Sequence, residues 1–337
     1  YGPALIDRAL LDALCRALGI SFYDAIRKNV AGITARETKG FLDTLQPQTQ
    51  IAARHTVGLV DPITTRDLKE RVNDGLPETL EEVIARYGHR WFKLKVGGDA
   101  RADVERLAAI AAVLDAIGEP YRASLDGNEQ YGDHEEVLEL LKRIKTDPRL
   151  KRLAASVVFI EQPIKRQNAL SKDILKLREE KPVIIDESDD SLEAFPRARA
   201  LGYSGVSSKT CKGIYRSLIN AARCRLWNRE EGTARYFMTG EDLTIQPGLA
   251  LQQDLALVSL LGLTHVERNG HHYVNGMARL PQAEQEDFLK AHPDLYERSH
   301  GAVRVRIENG NLKIGSLGCR GFASLAMPDW KAMRRMQ

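Results

Sequence analysis

Ionisable residues follow five short apolar or small-residue stretches of this sequence. They are Lys93, Lys95, Asp126, Glu161, Asp186 and Lys209. If these stretches are neighbouring strands, three carboxylates come close together, and they could not all stay ionised without a cation. Mg²⁺ takes oxygen ligands and keeps positions for water and a substrate oxygen. The sequence therefore predicts a magnesium site at Asp126, Glu161 and Asp186; the alternative is a buried salt-bridge network with the lysines.

The lysines suggest proton transfer. Lys93 and Lys95 are two residues apart and so lie on one face of a strand. Lysine is a poor base at neutral pH, but a nearby dication and a second lysine disfavour its charged form. Lys95 and Lys209 would approach the reacting carbon from opposite sides and could remove a proton on one face and return it on the other. The alternative is that the lysines only neutralise the carboxylates.

The elements that must position these residues form a regular pattern. Eight candidate strands lie near 51–60, 91–96, 121–126, 156–161, 182–187, 205–210, 235–239 and 263–267, with helical patterns between them such as 101–117, 134–146 and 213–227. Alternating strands and helices predict a parallel sheet. Eight units of close to 30 residues favour a closed α/β barrel over a doubly wound sheet, and the site of such a barrel lies at the carboxyl ends of its strands.

The two ends of the chain fall outside this rhythm. Residues 4–18 have helical periodicity, and because the sequence opens inside this pattern we expect an N-terminal part to be missing. Residues 31–50 are interpreted as a linker. After residue 285 the segment 301–315 predicts a hairpin with a type I′ turn at Asn309-Gly310. This tail is expected to pack against the opening helix.

Composition excludes several classes of protein. The formal charge is only +3, with scattered basic residues, which argues against nucleic-acid binding. No apolar run is long enough to span a bilayer, so no membrane partner is expected. The four cysteines lack metal-site spacing and are predicted to be free thiols in a cytoplasmic protein. We expect a homo-oligomer that acts on a small-molecule carboxylate.

Taken together, these motifs resemble the enolase superfamily, in particular its muconate lactonizing enzyme-like subgroup. The matching pieces are the K-x-K motif at Lys93 and Lys95, Asp126 with Asn128, Glu161 in an I-E-Q-P setting, the D-E-S motif at Asp186 and Glu187, and Lys209. The resemblance implies a (β/α)₇β TIM-like barrel with a remnant of an α+β capping domain. It also implies Mg²⁺ ligands at Asp126, Glu161 and Asp186, an acid/base pair at Lys95 and Lys209, and a helper role for Lys93 near the substrate carboxylate.

The resemblance also divides the chain. Residues 1–50 would be the last helix of the capping domain and a linker, 51–285 the catalytic barrel, and 286–337 a segment that returns to the capping domain. Glu241, at the end of the seventh strand, takes a position where relatives often have a glutamate. Asn128, Glu187 and Glu241 are expected to contact the substrate or support the metal ligands.

Departures from the family pattern narrow the reaction. The seventh strand lacks the histidine of the mandelate racemase type, and the eighth lacks the D-x-D pattern of dipeptide epimerases. The sequence favours a racemase or epimerase that uses two lysines; β-elimination, cycloisomerisation and a non-catalytic metal-binding barrel stay open. His271-His272, after the eighth strand, are expected at the barrel mouth, solvated or touching substrate, and Cys211 is expected to line the pocket.

Overall fold

Eight parallel strands close into a barrel in the computed structural model, which describes residues 2–242 and 246–333. They are β1 (Gln50–Val57), β2 (Trp91–Lys95), β3 (Arg122–Asp126), β4 (Val157–Glu161), β5 (Val183–Ile185), β6 (Gly205–Ser208), β7 (Phe237–Glu241) and β8 (His265–Arg268). Each strand pairs with the next in sequence, and β1 also pairs with β8. The predicted TIM-like barrel is confirmed, and every predicted strand is present.

Helices surround the barrel and cover the ends of the chain. They are α1 (Gly2–Leu18), α2 (Phe22–Arg27), α3 (Leu80–Tyr87), α4 (Ala100–Leu114), α5 (His134–Thr146), α6 (Lys151–Ser156), α7 (Arg166–Ala169), α8 (Leu175–Glu180), α9 (Ala194–Ala200), α10 (Ile214–Glu231), α11 (Leu249–Leu260), α12 (Gly270–Tyr273) and α13 (Gln282–Ala291). Their ends follow from local chemistry: Asp133 caps the first turn of α5, and α10 stops at Gly232 in the left-handed conformation. Among these described helices, none combines the length and apolarity that crossing a bilayer requires.

The strands present two chemically different faces. Outward side chains such as Leu125 and Val206 are fully buried in an apolar layer beneath the helices. Inward side chains of the same strands are often polar, as at Ser124 and Ser207, which are also buried. Since successive residues of a strand point to opposite faces, this alternation sends the ionisable strand-end residues into the barrel.

The C-terminal tail packs against the opening helices. The ring of Phe322 stacks on Phe22 of α2 with centroids 4.1 Å apart, and the Phe322 amide donates to Asp12 of α1 at 2.7 Å. Arg16 of α1 donates to the carbonyl of Ser324 at 2.9 Å. The predicted linker 31–50 takes part in the same core: it contains two 3₁₀ turns, Arg36–Thr38 and Leu42–Thr44, and its Leu45 is buried.

The predicted hairpin in the tail is only half right. Asn309 and Gly310 both have positive φ, and Glu308 and Asn311 exchange backbone hydrogen bonds across them, so the two-residue turn forms. The strands on either side of it do not pair with each other. Strand β10 (Ala302–Val305) pairs with β9 (Tyr296–Ser299) across His300-Gly301, and β11 (Asn311–Lys313) pairs antiparallel with the start of β1.

The physical reason for this difference is the free edge at the start of β1. Residues Gln50–Ala52 lie before the part of β1 that pairs with β2, and they accept β11 as an antiparallel neighbour. The predicted domain division stays a prediction, although the proposed boundary at 285/286 lies inside α13. All four cysteines are free, as predicted.

The stacked pair of Phe322 and Phe22 tests how much the tail stabilises the whole chain. Replacing a buried phenylalanine by alanine removes apolar contact and leaves a cavity, so Phe322→Ala should lower the free energy of unfolding by about 3–5 kcal/mol in urea titration. Leu325→Ala, at a side chain that is 56% exposed, is the matched control and should change it by less than about 0.5 kcal/mol. A loss of less than about 0.5 kcal/mol for Phe322→Ala would mean that this stacked pair does not stabilise the fold.

Candidate active site

The ends of β2, β3 and β4 bring charged residues side by side at the barrel mouth. In the backbone ladders Lys95 lies opposite Asp126, and Asp126 lies opposite Glu161. The side chains of Asp126, Glu161 and Asp186 are buried, with at most 3% of each residue exposed. Buried carboxylates need compensating charge or hydrogen bonds, so their partners determine what this site can do.

Lys93 supplies the central positive charge. Its ammonium group lies 2.8 Å from Asp126 Oδ2 and 3.0 Å from Glu161 Oε1, and it also binds Glu267. Burial lowers the pKa of Lys93, but these carboxylates outweigh burial and hold the pKa well above its usual value. Lys93 therefore stays charged and joins the carboxylates of three different strands.

Lys95 and Lys209 come from opposite sides of the barrel. Lys95 ends β2 and Lys209 follows β6, and these two strands are separated by three strands in either direction around the closed sheet. The Lys95 ammonium lies 2.5 Å from Asp126 Oδ2 and also binds the side-chain oxygen of Asn128. The Lys209 ammonium lies 2.8 Å from Asp186 Oδ2 and 2.7 Å from Glu241 Oε2. Both side chains keep some exposure, 21% and 11%, while Lys93 keeps 2%.

Lys212 is a member of the site that sequence analysis missed. The 3₁₀ turn Thr210–Lys212 brings its ammonium back to 2.8 Å from Asp186 Oδ1 and 2.7 Å from the Asp186 carbonyl. Burial raises the pKa of Asp186, but Lys212 and Lys209 outweigh burial and lower it. The available signal was the position of Lys212 three residues after Lys209.

Glu267 on β8 was also missed. It lies opposite Glu241 in the β7–β8 ladder, and Thr56 donates to its Oε1 at 2.7 Å. One carboxylate oxygen each from Glu161, Glu241 and Glu267 lies within 4.8 Å of the other two. Among the described residues, these three form a carboxylate group with the spacing of metal ligands. Burial and the charge of Glu267 raise the pKa of Glu241 to about 8. The signal for Glu267 was its place at the end of a strand, on the inward face.

Loop residues fix the positions of the carboxylates. The side-chain oxygen of Gln162 accepts the backbone amides of Asp186 at 2.8 Å and Ser188 at 3.1 Å, which ties the end of β4 to the loop after β5. The backbone amide of Asn128 donates to Asp126 Oδ1 at 2.9 Å, and the side-chain amide of Asn128 donates to Glu187 Oε1 at 3.0 Å. This explains why Gln follows Glu161 and why Asn lies two residues after Asp126.

The oxygen-rich mouth fits a hard cation. Glu161 Oε2 and Glu187 Oε2 are buried and lack a hydrogen-bond partner. Such groups cost free energy unless something binds them. A set of carboxylate oxygens matches Mg²⁺, which prefers oxygen ligands. Of the predicted ligands, Asp126 and Glu161 share the Lys93 ammonium, whereas Asp186 reaches the group through Lys209.

The charge of Lys209 is set mainly by its neighbours Glu241 and Asp186. Burial lowers the pKa of Lys209, but Glu241 and Asp186 outweigh burial and raise it above its usual value. These carboxylates also outweigh the positive charge of Lys93, which lowers the pKa of Lys209. The dication expected from the sequence would act in the same direction as Lys93. A base role for Lys209 therefore requires a change in the charge around Glu241 and Asp186.

Two histidines after β8 are less exposed than the sequence predicts, and Cys211 lies near the site. His271 is buried and His272 is half-buried, so neither is fully solvated. Cys211 is half-buried next to Lys209, and burial raises the pKa of its thiol, so it is not prepared as a nucleophile.

Comparison with known proteins shows that the chain matches one family model and several solved structures. A family model described as enolase C-terminal domain-like matches residues 75–314, whereas no curated protein matches the chain. Similar solved structures include the 3,6-anhydro-D-galactonate cycloisomerase from Zobellia galactanivorans, with 16% identity, a TM-score of 0.59, and coverage of 97% of this chain and 73% of that one. A mandelate racemase/muconate lactonizing protein from Herpetosiphon aurantiacus has 16% identity, a TM-score of 0.58, and coverage of 96% and 72%. The muconate lactonizing enzyme from Pseudomonas putida has 19% identity, a TM-score of 0.56, and coverage of 97% and 72%.

The raised pKa of Glu241 predicts a pH dependence of stability. Between about pH 4.5 and pH 8 the unfolded chain has released this proton, while the folded chain keeps it. The free energy of unfolding should therefore fall as pH rises through this window, by on the order of a few kcal/mol relative to Glu241→Gln. Urea titrations with EDTA present, repeated along this pH range, measure the difference.

The exposed Glu230 provides the control for this measurement. Glu230→Gln should keep the pH profile of the unsubstituted chain. A Glu241→Gln profile parallel to that of the unsubstituted chain would show that Glu241 is ionised in the fold across this range.

Proposed function

Because this chain belongs to the enolase superfamily, whose C-terminal domain-like family model it matches, and folds like a muconate lactonizing enzyme, we propose that it is an isomerase or lyase of that superfamily, and specifically a Mg²⁺-dependent racemase or epimerase. Its substrate would be a small molecule with a carboxylate next to an acidic carbon–hydrogen bond. The observation that carries the proposal is the pair of ammonium groups on β2 and β6, on opposite sides of one buried carboxylate cluster.

Two amines on opposite sides of a carbon suit 1,1-proton transfer. Lys95 would hold or take the proton on one face and Lys209 on the other, so either enantiomer could react. Each ammonium group is bound to a carboxylate at 2.5–2.8 Å, Asp126 for Lys95 and Asp186 for Lys209, which fixes its position. Lys93, almost fully buried, would keep its charge and attract the substrate carboxylate.

Asp126, Glu161 and Asp186 are the proposed holders of Mg²⁺. Bound there, the ion would supply the positive charge that makes the α-proton of a carboxylate substrate acidic enough for an amine base. Engaging these carboxylates would also weaken their hold on the lysines and so lower the lysine pKa values. Glu187 and Asn128, hydrogen-bonded to each other at 3.0 Å, are proposed to support the ligands or contact substrate. Glu241, against Lys209, is proposed to position that amine.

The same residues could serve other outcomes of proton removal. In β-elimination or cycloisomerisation one lysine removes a proton and the other need not return it. These alternatives differ from racemisation in their products, and a non-catalytic metal-binding barrel differs from all of them in producing no exchange. The test therefore follows the proton.

Deuterium exchange checks the role of the two lysines. With Mg²⁺ in D₂O, an active substrate from a panel of N-acylamino acids, dipeptides and sugar acids should gain deuterium at the α-carbon, followed by NMR. Lys95→Ala should abolish exchange of one enantiomer and Lys209→Ala that of the other, and either variant should abolish racemisation, a loss of at least about 10³-fold. Circular dichroism checks that both variants fold.

Lys142→Ala, at an exposed lysine of α5, is the matched control and should retain full exchange. Full racemisation by either lysine variant would contradict the assignment. Loss of a leaving group without α-deuteration of recovered substrate would replace racemisation by elimination, and a lactone product would replace it by cycloisomerisation. No exchange on any panel member by the Mg²⁺-loaded chain would favour the non-catalytic barrel.

Metal affinity distinguishes the two possible carboxylate sets. Asp186→Asn should weaken Mg²⁺ binding by at least about tenfold in isothermal titration calorimetry, because it removes a charged ligand. Glu267→Gln should change affinity much less, because Glu267 is not among the proposed ligands and pairs with Thr56 and Lys93 instead. The reverse order would place the ion among Glu161, Glu241 and Glu267.

A further inference from the structure

Three histidine side chains pack together on the outer side of the barrel wall. His55 belongs to β1, His89 lies in the turn before β2, and His271 belongs to α12. His55 faces outward, because the next residue, Thr56, points into the barrel and binds Glu267. The three histidines, called here the outer histidine cluster, are therefore separated from the carboxylate site by the sheet itself.

The rings of the outer histidine cluster have the spacing of metal ligands. Ring centroids lie 5.3 Å apart for His55 and His89, 5.0 Å for His55 and His271, and 4.9 Å for His89 and His271. One ring nitrogen from each lies within 4.8 Å of the other two. Nδ1 of His55 is 3.0 Å from Nε2 of His271. In a tetrahedral zinc site two ligand nitrogens are about 3.3 Å apart, so only small movements are needed.

His89 is already oriented for this role. Its Nδ1 lies 2.9 Å from the carbonyl oxygen of Ala53, which can only accept, so Nδ1 carries the proton. Its Nε2 then carries a lone pair, and that atom is buried without a hydrogen-bond partner. A histidine held by a backbone carbonyl through one nitrogen, with the other nitrogen free, is the usual arrangement of a metal ligand. Nδ1 of His271 is likewise buried without a partner.

The imidazoles of the cluster are neutral at physiological pH. Burial lowers the pKa of His89 to about 4 and holds the pKa values of His55 and His271 well below the usual range. Neutral imidazole is the form that binds metal, so no proton competes for these sites. The nearby charge of Arg268, which lies opposite His55 in the β1–β8 ladder, is paired with Asp242 at 3.2 Å.

We propose that His55, His89 and His271 bind one first-row transition-metal dication, with Zn²⁺ the best match to three imidazoles in tetrahedral geometry. Mg²⁺ is a poor match because it demands oxygen ligands. The neighbouring His272, whose ring centroid lies 5.5 Å from that of His55, lines a cavity of about 930 Å³. The ion would join β1 to the segment after β8, where Asn269 donates to Glu267 at 3.2 Å. This site does not depend on the proposed racemase activity.

Zinc binding to the purified chain tests the proposal. After removal of metals with a chelator and addition of excess Mg²⁺, the chain should bind one equivalent of Zn²⁺ in a competition titration with a zinc-binding dye. His271→Gln and His55→Gln should each weaken this binding by on the order of 100-fold, or about 2.7 kcal/mol. His134→Gln, on α5 outside the cluster, is the matched control and should bind as the unsubstituted chain does.

X-ray absorption of the zinc-loaded unsubstituted chain identifies the zinc ligands without any substitution, so misfolding of a variant cannot affect the result. Three imidazole ligands should be seen, with Zn–N distances of about 2.0–2.1 Å. Zinc bound by oxygen alone, equal affinity in the His271→Gln and His134→Gln variants, or no tight zinc binding would each overturn the proposal. The cluster would then be a network of neutral, hydrogen-bonded imidazoles.

Discussion

Ammonium groups lie between the buried carboxylates at the barrel mouth and make their burial tolerable. Moving an ion out of water costs several kcal/mol even in a real protein, and only close opposite charge or hydrogen bonds offset that cost. Lys93 lies among the carboxylates of β3, β4 and β8. Lys209 joins Asp186, which follows β5, to Glu241, which ends β7. The carboxylates are thus held on a rigid frame of charge, and removing one member would leave its neighbours uncompensated.

The closed barrel places amine groups on two opposite sides of these carboxylates. Neighbouring strands place consecutive carboxylates next to one another, while β2 and β6 lie across the barrel and carry Lys95 and Lys209. The same alternation of side chains that sends these groups inward sends His55 outward, so one strand serves two separate polar clusters. Short loop contacts, above all those of Gln162 with the backbone of Asp186 and Ser188, hold the frame in register.

The barrel and its charged mouth could be predicted from the sequence because each depends on local pattern. The regular alternation of apolar stretches and helical patterns predicted all eight strands. The residue types at the strand ends predicted the three carboxylates and Lys209. Lys212 and Glu267 were missed because their local signals were weak, and their roles depend on a backbone turn and on the pairing of β7 with β8. The outer histidine cluster escaped for a similar reason, since its members are more than 30 residues apart in the chain or separated by the whole barrel.

The tail shows the limit of local turn signals. Asn309-Gly310 forms the turn that its residue types favour, but the partner of each flanking strand is chosen by distant backbone groups. Turn chemistry fixes two residues, whereas pairing depends on which strand edge is free.

The antiparallel contact between β11 and the first residues of β1 also bears on where the polypeptide can be shortened. Gln50, Ile51 and Ala52 would lose their hydrogen-bonding neighbour in a fragment that stops at residue 285. Bare amides and carbonyls on a strand margin attract other chains. Strand β11 thus covers the free edge where the barrel begins, and a catalytic core trimmed to its eight parallel strands should self-associate through that edge.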